Sequence, residues 1–286
     1  MIPRPPLRAA AARMSCLAFL TLAASLSCAQ ADRVERGRYL VESIVACGNC
    51  HTPQGPNGPD PAKKLAGGFL TEEPPLTAYA PNITPDPDTG IGRWTDAQIV
   101  AAIRDGRRPD GSLIGPPMPF AMYRQMSDSD VQAIVAYLRT VPAVANRVPK
   151  SVYRIALPPA WGPPVGAVPD VPRTDKTAYG RYLAGPLGHC LECHSTPDAK
   201  GVPDFANGLG GGGMAFMGPW GKSVASNITP TLLKTYGDAD LKKVITTGVR
   251  PDGSRLKPPM GTSYYARMAP ADLDALVAYL RTLPPK

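Results

Sequence analysis

Apolar positions along this chain recur at helical spacing in a few short stretches and are otherwise broken by proline and glycine. After Thr95, residues Ile99, Ala102 and Ile103 fall on one helix face, and Thr95-Asp96-Ala97-Gln98 before them is a capping-box pattern. A second helix is predicted after Ser127-Asp128-Ser129-Asp130, with Val131, Ile134, Val135 and Leu138 apolar. A third begins near Ala269, with Pro270 suited to the first helical position and Leu273, Leu276, Val277 and Leu280 as its face. Residues 32–45 also read as helix. Strand-like alternation is scarce, so the pattern predicts helices joined by long Pro/Gly loops.

One stretch is apolar without a period. Ser15 to Ser27 follows Arg4, Arg8 and Arg13 and precedes the small-X-small triplet Ala29-Gln30-Ala31. This order reads as an export signal over 1–31, with the mature chain beginning near Asp32. The uncharged run from Met14 to Ala31 is 18 residues long, at the lower limit of a membrane span of about 17–25 residues. A retained anchor is therefore an alternative. A lipid on Cys28 ranks below both, because Ser25-Leu26-Ser27 fits a lipobox poorly.

The chain also repeats itself. GRYL occurs at Gly37 and Gly180, NITP at Asn82 and Asn227, RPDGS at Arg108 and Arg250, PPM at Pro116 and Pro258, and VAYLRT at Val135 and Val277. The offsets are 143, 145 and 142 residues, so two units of nearly equal length stand in tandem. A proline-rich stretch, 145–174, separates them and is expected to be an extended connector lying along the units. Full exposure of Val152, Tyr153, Ile155, Leu157 and Trp161 would be unfavourable. Gly37 and Tyr39 are placed where the terminal helices cross, against Tyr137 and Leu138, and Gly180 and Tyr182 against Tyr279 and Leu280.

Six cysteines are present. Cys16 and Cys28 lie in the export segment. The other four form two pentapeptides of one pattern, Cys47-Gly48-Asn49-Cys50-His51 and Cys190-Leu191-Glu192-Cys193-His194. Cys-X-X-Cys-His is the attachment signature of c-type haem. Residues i, i+3 and i+4 share one helix face, so two thiols can form thioethers to the vinyl groups of one haem while the adjoining imidazole meets the iron. Zinc or dithiol redox chemistry is the competing reading. It is opposed by the 143 residues between the pairs and by the lack of a βαβ pattern around either. Two covalent haem c groups are expected, with Cys47, Cys50, Cys190 and Cys193 as attachment points and His51 and His194 as axial ligands. Haem attachment and folding are expected to be coupled.

Met118 and Met260 are the candidates for the opposite axial positions. Each follows a Pro-Pro pair on a loop before the last helix of its unit, 67 and 66 residues after its histidine. Thioether is a soft ligand that raises the potential. Met126 and Met268 also recur, but each precedes a helix cap and can act as a hydrophobic staple. Met214 and Met217 are further rivals beside the glycine run 208–213, which reads as a loop at the haem edge and lacks the Lys-Ser/Thr of a phosphate loop. His189 reads as a surface residue. Arg93, Trp94, Tyr123, Tyr264 and Tyr265 either meet haem propionates or pack in the core. The Asn82 and Asn227 motifs read as structural turns.

Removing the three signal arginines from the formal +8 leaves +5. This excess is too small and dispersed for nucleic acid, and ordinary solubility explains it better than steering to an acidic partner.

With these residues in view, the chain resembles the class I c-type cytochrome fold, duplicated. More narrowly it is similar to the cytochrome subunits of membrane-bound bacterial alcohol, gluconate and aldehyde dehydrogenases. NITPDPDTGIGRWTDAQI, RRPDGS, PPMPF, YRQMSDSD and VAYLRTVP carry the similarity, over most of 35–142 and more loosely 177–286. Those subunits commonly have three haem motifs, whereas two occur here. NITPTLLKTYGDADL is degenerate, and Gly261 follows the second PPM. The resemblance implies an all-α fold of two class I domains, 32–144 and 175–286, with a linker at 145–174. It implies a periplasmic diheme electron carrier or dehydrogenase subunit. A dehydrogenase subunit would be the donor and an oxidase or another cytochrome the acceptor, with association at a membrane surface. By the same motif match it assigns Cys47, Cys50, His51 and Met118, and Cys190, Cys193, His194 and Met260, to haem. The competing class is a diheme enzyme, a peroxidase or thiosulfate dehydrogenase, with one open iron.

Overall fold

The computed structural model of the chain describes residues 28–55 and 58–286. The expected export segment or anchor therefore lies outside the described residues except for 28–31. Those four belong to a helix, α1, described over 28–42. Among the described residues no helix is long and apolar enough to cross a membrane.

The first unit continues with α2 (Cys47–His51), the short pair β1 (Gln54–Gly55) and β2 (Gly58–Pro59), and the hairpin β3 (Gly68–Glu73) and β4 (Leu76–Ala80). Helices α3 (Asp96–Arg104), α4 (Phe120–Tyr123) and α5 (Asp128–Leu138) complete it. The connector contributes β5 (Val152–Tyr153). The second unit repeats the plan. Helix α6 (Lys176–Tyr182) runs into a π-helical turn, Leu183–Leu187, and α7 (Cys190–His194) follows. Next come the hairpin β6 (Ala215–Gly218) and β7 (Gly221–Val224), then α8 (Pro230–Leu233), α9 (Asp238–Thr247), α10 (Thr262–Tyr265) and α11 (Pro270–Leu280).

The helical starts follow the local chemistry. Thr95 accepts from Gln98 N at 3.2 Å and Gln98 Oε1 accepts from Thr95 N at 2.8 Å, so the capping box closes α3. Ser127 Oγ accepts from Asp130 N to start α5. Val131, Ile134, Val135 and Leu138 of α5, and Leu273, Leu276, Val277 and Leu280 of α11, are buried. They join one continuous apolar cluster with Leu40, Ile44, Leu183 and Leu187, drawn from both units.

The helical crossings explain two glycines. A Cβ at Gly37 would lie 1.9 Å from Ala133 O on α5, and one at Gly180 would lie 1.9 Å from Ala275 O on α11. Tyr39 and Tyr182 depart from their expected place: each leaves its own unit and meets the last helix of the other. Tyr39 Oη donates to Asp272 Oδ2 at 2.7 Å, and Tyr182 Oη donates to Asp130 Oδ2 at 2.8 Å.

The all-α expectation is corrected: helix takes 36% and strand 12% of the described residues. Glu73 pairs with Leu76 around Pro74-Pro75, and β4 pairs on its other edge with β5 in the order β3-β4-β5. Along β4, Leu76, Ala78 and Ala80 are buried while Thr77 and Tyr79 are half-buried, a two-residue period carried mostly by alanine. The second unit repeats the hairpin, with Gly218 pairing with Gly221 around Pro219-Trp220.

The connector lies against the first unit as expected. Trp161 stacks on Phe120 with ring centroids 5.6 Å apart, and its Nε1 donates to Ile114 O at 2.9 Å. Asp128 N donates to Val168 O at 3.0 Å. Val152 and Ile155 are corrections, since both are more than half exposed. On a two-residue strand at a sheet edge, backbone pairing fixes Val152 without covering its side chain.

Candidate functional site

Helices α2 and α7 are single turns that carry the two pentapeptides. Each is preceded by a residue in the left-handed region, Ala46 (φ 51°) and His189 (φ 40°). Neither is glycine, so both helix starts are held by their surroundings against a steric preference. The turn places each cysteine pair and its histidine on successive positions of one face. The four thiols are free, and Cys47 and Cys190 border the apolar cluster.

The histidines are fixed alike. His51 Nδ1 lies 2.8 Å from Pro81 O, and His194 Nδ1 lies 2.7 Å from Ser226 O. A carbonyl oxygen accepts and does not donate, so Nδ1 carries the proton in both rings. Nε2 then keeps its lone pair, the state a metal-ligating imidazole needs. Burial pushes both rings below the ordinary imidazole value, against the opposing pull of the carbonyl, which favours the neutral form.

The loops behind the histidines repeat in detail. Gly67 N donates to His51 O and Gly212 N to His194 O, both at 2.7 Å. Both glycines have φ near +74°, and a Cβ on either would meet backbone within 2.5 Å. Thr52 Oγ1 accepts from Leu65 N at 3.1 Å, and Ser195 Oγ accepts from Gly210 N at 3.2 Å. The glycine run 208–213 thus braces the His194 turn. The NIT segments are structural turns: Asn82 Oδ1 accepts from Thr84 N and Oγ1, and Asn227 Oδ1 from Thr229 N and Oγ1.

Met118 and Met260 are half-buried, pack on the same apolar cluster as Cys47 and Cys190, and occupy equivalent places. Each follows a cis Pro-Pro bond. Each carbonyl accepts from the first residue of the next helix, Phe120 N or Thr262 N. Their rivals sit otherwise. Met126 and Met268 are buried under the helix starts, as staples are. Met214 is half-buried beside β6, and Met217 is 64% exposed on it.

Among the propionate candidates, Arg93 is exposed and paired with Asp88 at 2.6 Å. Trp94 packs on the cluster, and Tyr123 and Tyr265 are buried. Contacts between the two pentapeptide regions were not foreseen. Asn49, inside the first pentapeptide, donates to Pro259 O of the second methionine loop at 3.1 Å. A Cβ on Gly48 would lie 2.5 Å from Tyr264 Oη. The rings of Tyr123 and His189 meet edge to face at 5.8 Å, so His189 is an interface residue and not a lone surface one. Each unit's methionine-side helix therefore leans on the other unit's pentapeptide region. The recurrence of tyrosine after both PPM loops was the available signal.

Two thiols three residues apart, an adjoining imidazole with Nδ1 tied and Nε2 open, and a thioether loop bordering the same cluster suit a covalently attached haem. No group of three or more His, Cys, Asp and Glu side chains gathers among the described residues.

The family model described as cytochrome c matches residues 34–142 and 180–284. Among known proteins, a diheme cytochrome c-type protein of Cereibacter sphaeroides is 30% identical, covering 83% of this chain and 82% of that one. The fructose dehydrogenase cytochrome subunit of Gluconobacter japonicus is 32% identical, over 88% of this chain and 53% of that protein. A subunit of the nicotinate dehydrogenase of Pseudomonas putida is 32% identical, over 88% of this chain and 21% of that protein. The chain thus spans about a fifth of the nicotinate dehydrogenase chain and about half of the fructose dehydrogenase one.

Proposed function

Because this chain belongs to the cytochrome c family, whose members hold haem c covalently, we propose that it carries two such groups and passes electrons between redox proteins. Cys47 and Cys50 would attach the first, with His51 and Met118 holding its iron. Cys190 and Cys193 would attach the second, with His194 and Met260 holding its iron. The observation that carries this reading is the matched pair of imidazoles, each held by a backbone carbonyl at Nδ1 with Nε2 open. The bound groups supply one-electron chemistry; the protein fixes ligand tautomer, supplies a soft ligand and excludes water. Pro81 and Ser226 orient the rings, and the paired prolines stiffen the methionine loops. The cross-contacts of Asn49, Tyr264, Tyr123 and His189 bring the two pentapeptide regions together for transfer within the chain.

On this reading the chain divides into an export segment at 1–31, units at 32–144 and 175–286, and a connector at 145–174. The mature protein works in the periplasm or at its membrane surface. A dehydrogenase subunit is the donor and an oxidase or further cytochrome the acceptor, supported by the two dehydrogenase subunits among the relatives.

Absorption spectra of the oxidised and reduced holoprotein, with carbon monoxide added to the reduced form, test this. Two low-spin haems with the weak methionine-to-iron band and no response to carbon monoxide are expected. A high-spin haem that binds carbon monoxide would overturn the pure carrier and move the reading to a diheme enzyme.

A further inference from the structure

The two units present their methionine loops to solvent differently. The antiparallel bridges Arg107–Leu113 and Val249–Arg255 put the loops in register. Over the first loop lies the connector. Tyr153 Oη donates to Pro116 O at 3.0 Å, Trp161 caps Ile114 O, and β5 occupies the free edge of β4. Gly115 is buried there, and a Cβ on it would lie 2.4 Å from the Tyr153 ring. In the second unit the position of Gly115 is Lys257, which is exposed together with Pro258 and Pro259. Among the described residues no third strand pairs with β6–β7.

Charge follows the same division. Residues 32–144 hold eleven Lys and Arg against thirteen Asp and Glu, whereas 175–286 hold thirteen against nine. Around the second loop the basic replacements are local. Lys222, Arg255 and Lys257 stand where the first unit has Thr77, Leu113 and Gly115. Lys257 Nζ donates to Lys222 O at 3.3 Å, and Ser223 Oγ donates to Pro258 O at 2.7 Å, so hairpin and loop form one surface. None of the three cations is in an ion pair among the described residues. Within 249–260 the single carboxylate is Asp252, which accepts from Ser254 N at 2.9 Å.

The outer face of the hairpin is apolar at its centre. Met217 pairs with Lys222 and Ala215 with Val224, so these four side chains share one face. Met217 is 64% and Val224 53% exposed. In the first unit Glu72 stands at the place of Met217. Exposed apolar residues beside unpaired cations, without an acidic counterpart, have the make-up of a protein contact with a charged rim.

We propose that this face, Met217 and Val224 with Lys222, Arg255 and Lys257, is where a redox protein with an acidic surface docks to exchange one electron with the second unit, while the connector closes the equivalent face of the first. The inference rests on the carrier reading above.

The test uses reduced full-length holoprotein and oxidised plant plastocyanin, an acidic copper protein, as the probe. One electron moves from ferrous haem to Cu(II), giving ferric haem and Cu(I), and no proton moves. In stopped flow the wild-type rate should fall as salt rises. Lys222→Glu with Lys257→Glu should slow it about tenfold at low salt and abolish the salt dependence. Met217→Ser should slow it at every ionic strength alike. Lys234→Glu just after α8, with the same charge change per site, should leave the rate near wild type. Equal rates for the double variant and Lys234→Glu, in protein that keeps two low-spin haems, would overturn the docking face and leave the carrier reading standing. Protein that takes up no haem would instead fail that reading, and this one with it. Co-sedimentation with vesicles one quarter phosphatidylglycerol, lost in the double variant while the plastocyanin rate is unchanged, would give the face to lipid and also overturn the proposal.

Discussion

Tyr39 donates its phenolic proton to Asp272 at 2.7 Å across 233 residues of chain. The same oxygen accepts from Ala269 N at 3.1 Å. Tyr182 repeats the arrangement in reverse, donating to Asp130 at 2.8 Å and accepting from Ser127 N at 3.0 Å. Both carboxylates are buried. Arg36 forms a fork on Asp130 at 2.8 and 2.9 Å. Burial holds the proton on both phenols well above the ordinary tyrosine range.

Removing either hydroxyl leaves a buried carboxylate short of a donor. Tyr39→Phe and Tyr182→Phe should each destabilise the chain by about 1–3 kcal/mol. Denaturant unfolding with the Tyr39→Phe/Asp272→Asn cycle should give a non-zero coupling. An additive cycle would mean that the bond holds nothing.

Gly37 and Gly180 test the helix crossings by sign. Alanine in an exposed helix would gain about 1 kcal/mol over glycine. Here its Cβ would enter Ala133 O or Ala275 O at 1.9 Å, so Gly37→Ala and Gly180→Ala should each lose about 1–3 kcal/mol. Thermal melts read the difference directly.

Met118 and Met126 should separate cleanly. Met118→His should remove about half of the methionine-to-iron band, one haem of two, and lower one potential because a soft ligand is lost. Met126→Ala should leave the spectrum unchanged and destabilise by about 2–5 kcal/mol, because Met126 is fully buried. Loss of the band in Met126→Ala would reverse the assignment.

Asp110 carries a pH signature. The Ser112 hydroxyl first, and Lys150 next, hold its carboxyl well below the usual carboxylate range. A depressed folded value means that its contribution is present above about pH 4, the ordinary carboxylate value, and is lost as pH falls below it. Asp110→Asn should therefore lower stability at pH 7 and make no difference near pH 1. Being exposed, the Asp110–Lys150 pair should contribute less than about 1 kcal/mol and weaken in salt.

What was legible in the sequence was local. The capping box at Thr95 acts over three residues and formed as read, the pentapeptides fold as single helical turns, and Met126 is buried just before α5. The hairpins were missed because the buried face of β4 is mainly Ala78 and Ala80, whose small side chains give a weak period, and because their turns carry proline, which reads as loop. The crossing of Tyr39 to Asp272 was hidden for another reason. In a repeated chain Tyr39 has two equivalent acceptors, Asp130 and Asp272, and the sequence does not distinguish them. Val152 and Ile155 were misjudged because apolar character does not oblige burial at a strand edge.

The reciprocal Tyr–Asp contacts have a consequence beyond stability. Residue i meeting j while j's counterpart meets i's is the contact rule of an isologous dimer. A true homodimer must show the same surface twice, so any lysine gained on one methionine loop appears on the other. Joined in one chain, the halves keep the dimer's interface but not its obligation. Gly115 lies closed under Tyr153 while Lys257 stands open, an inequality that no pair of identical subunits can hold.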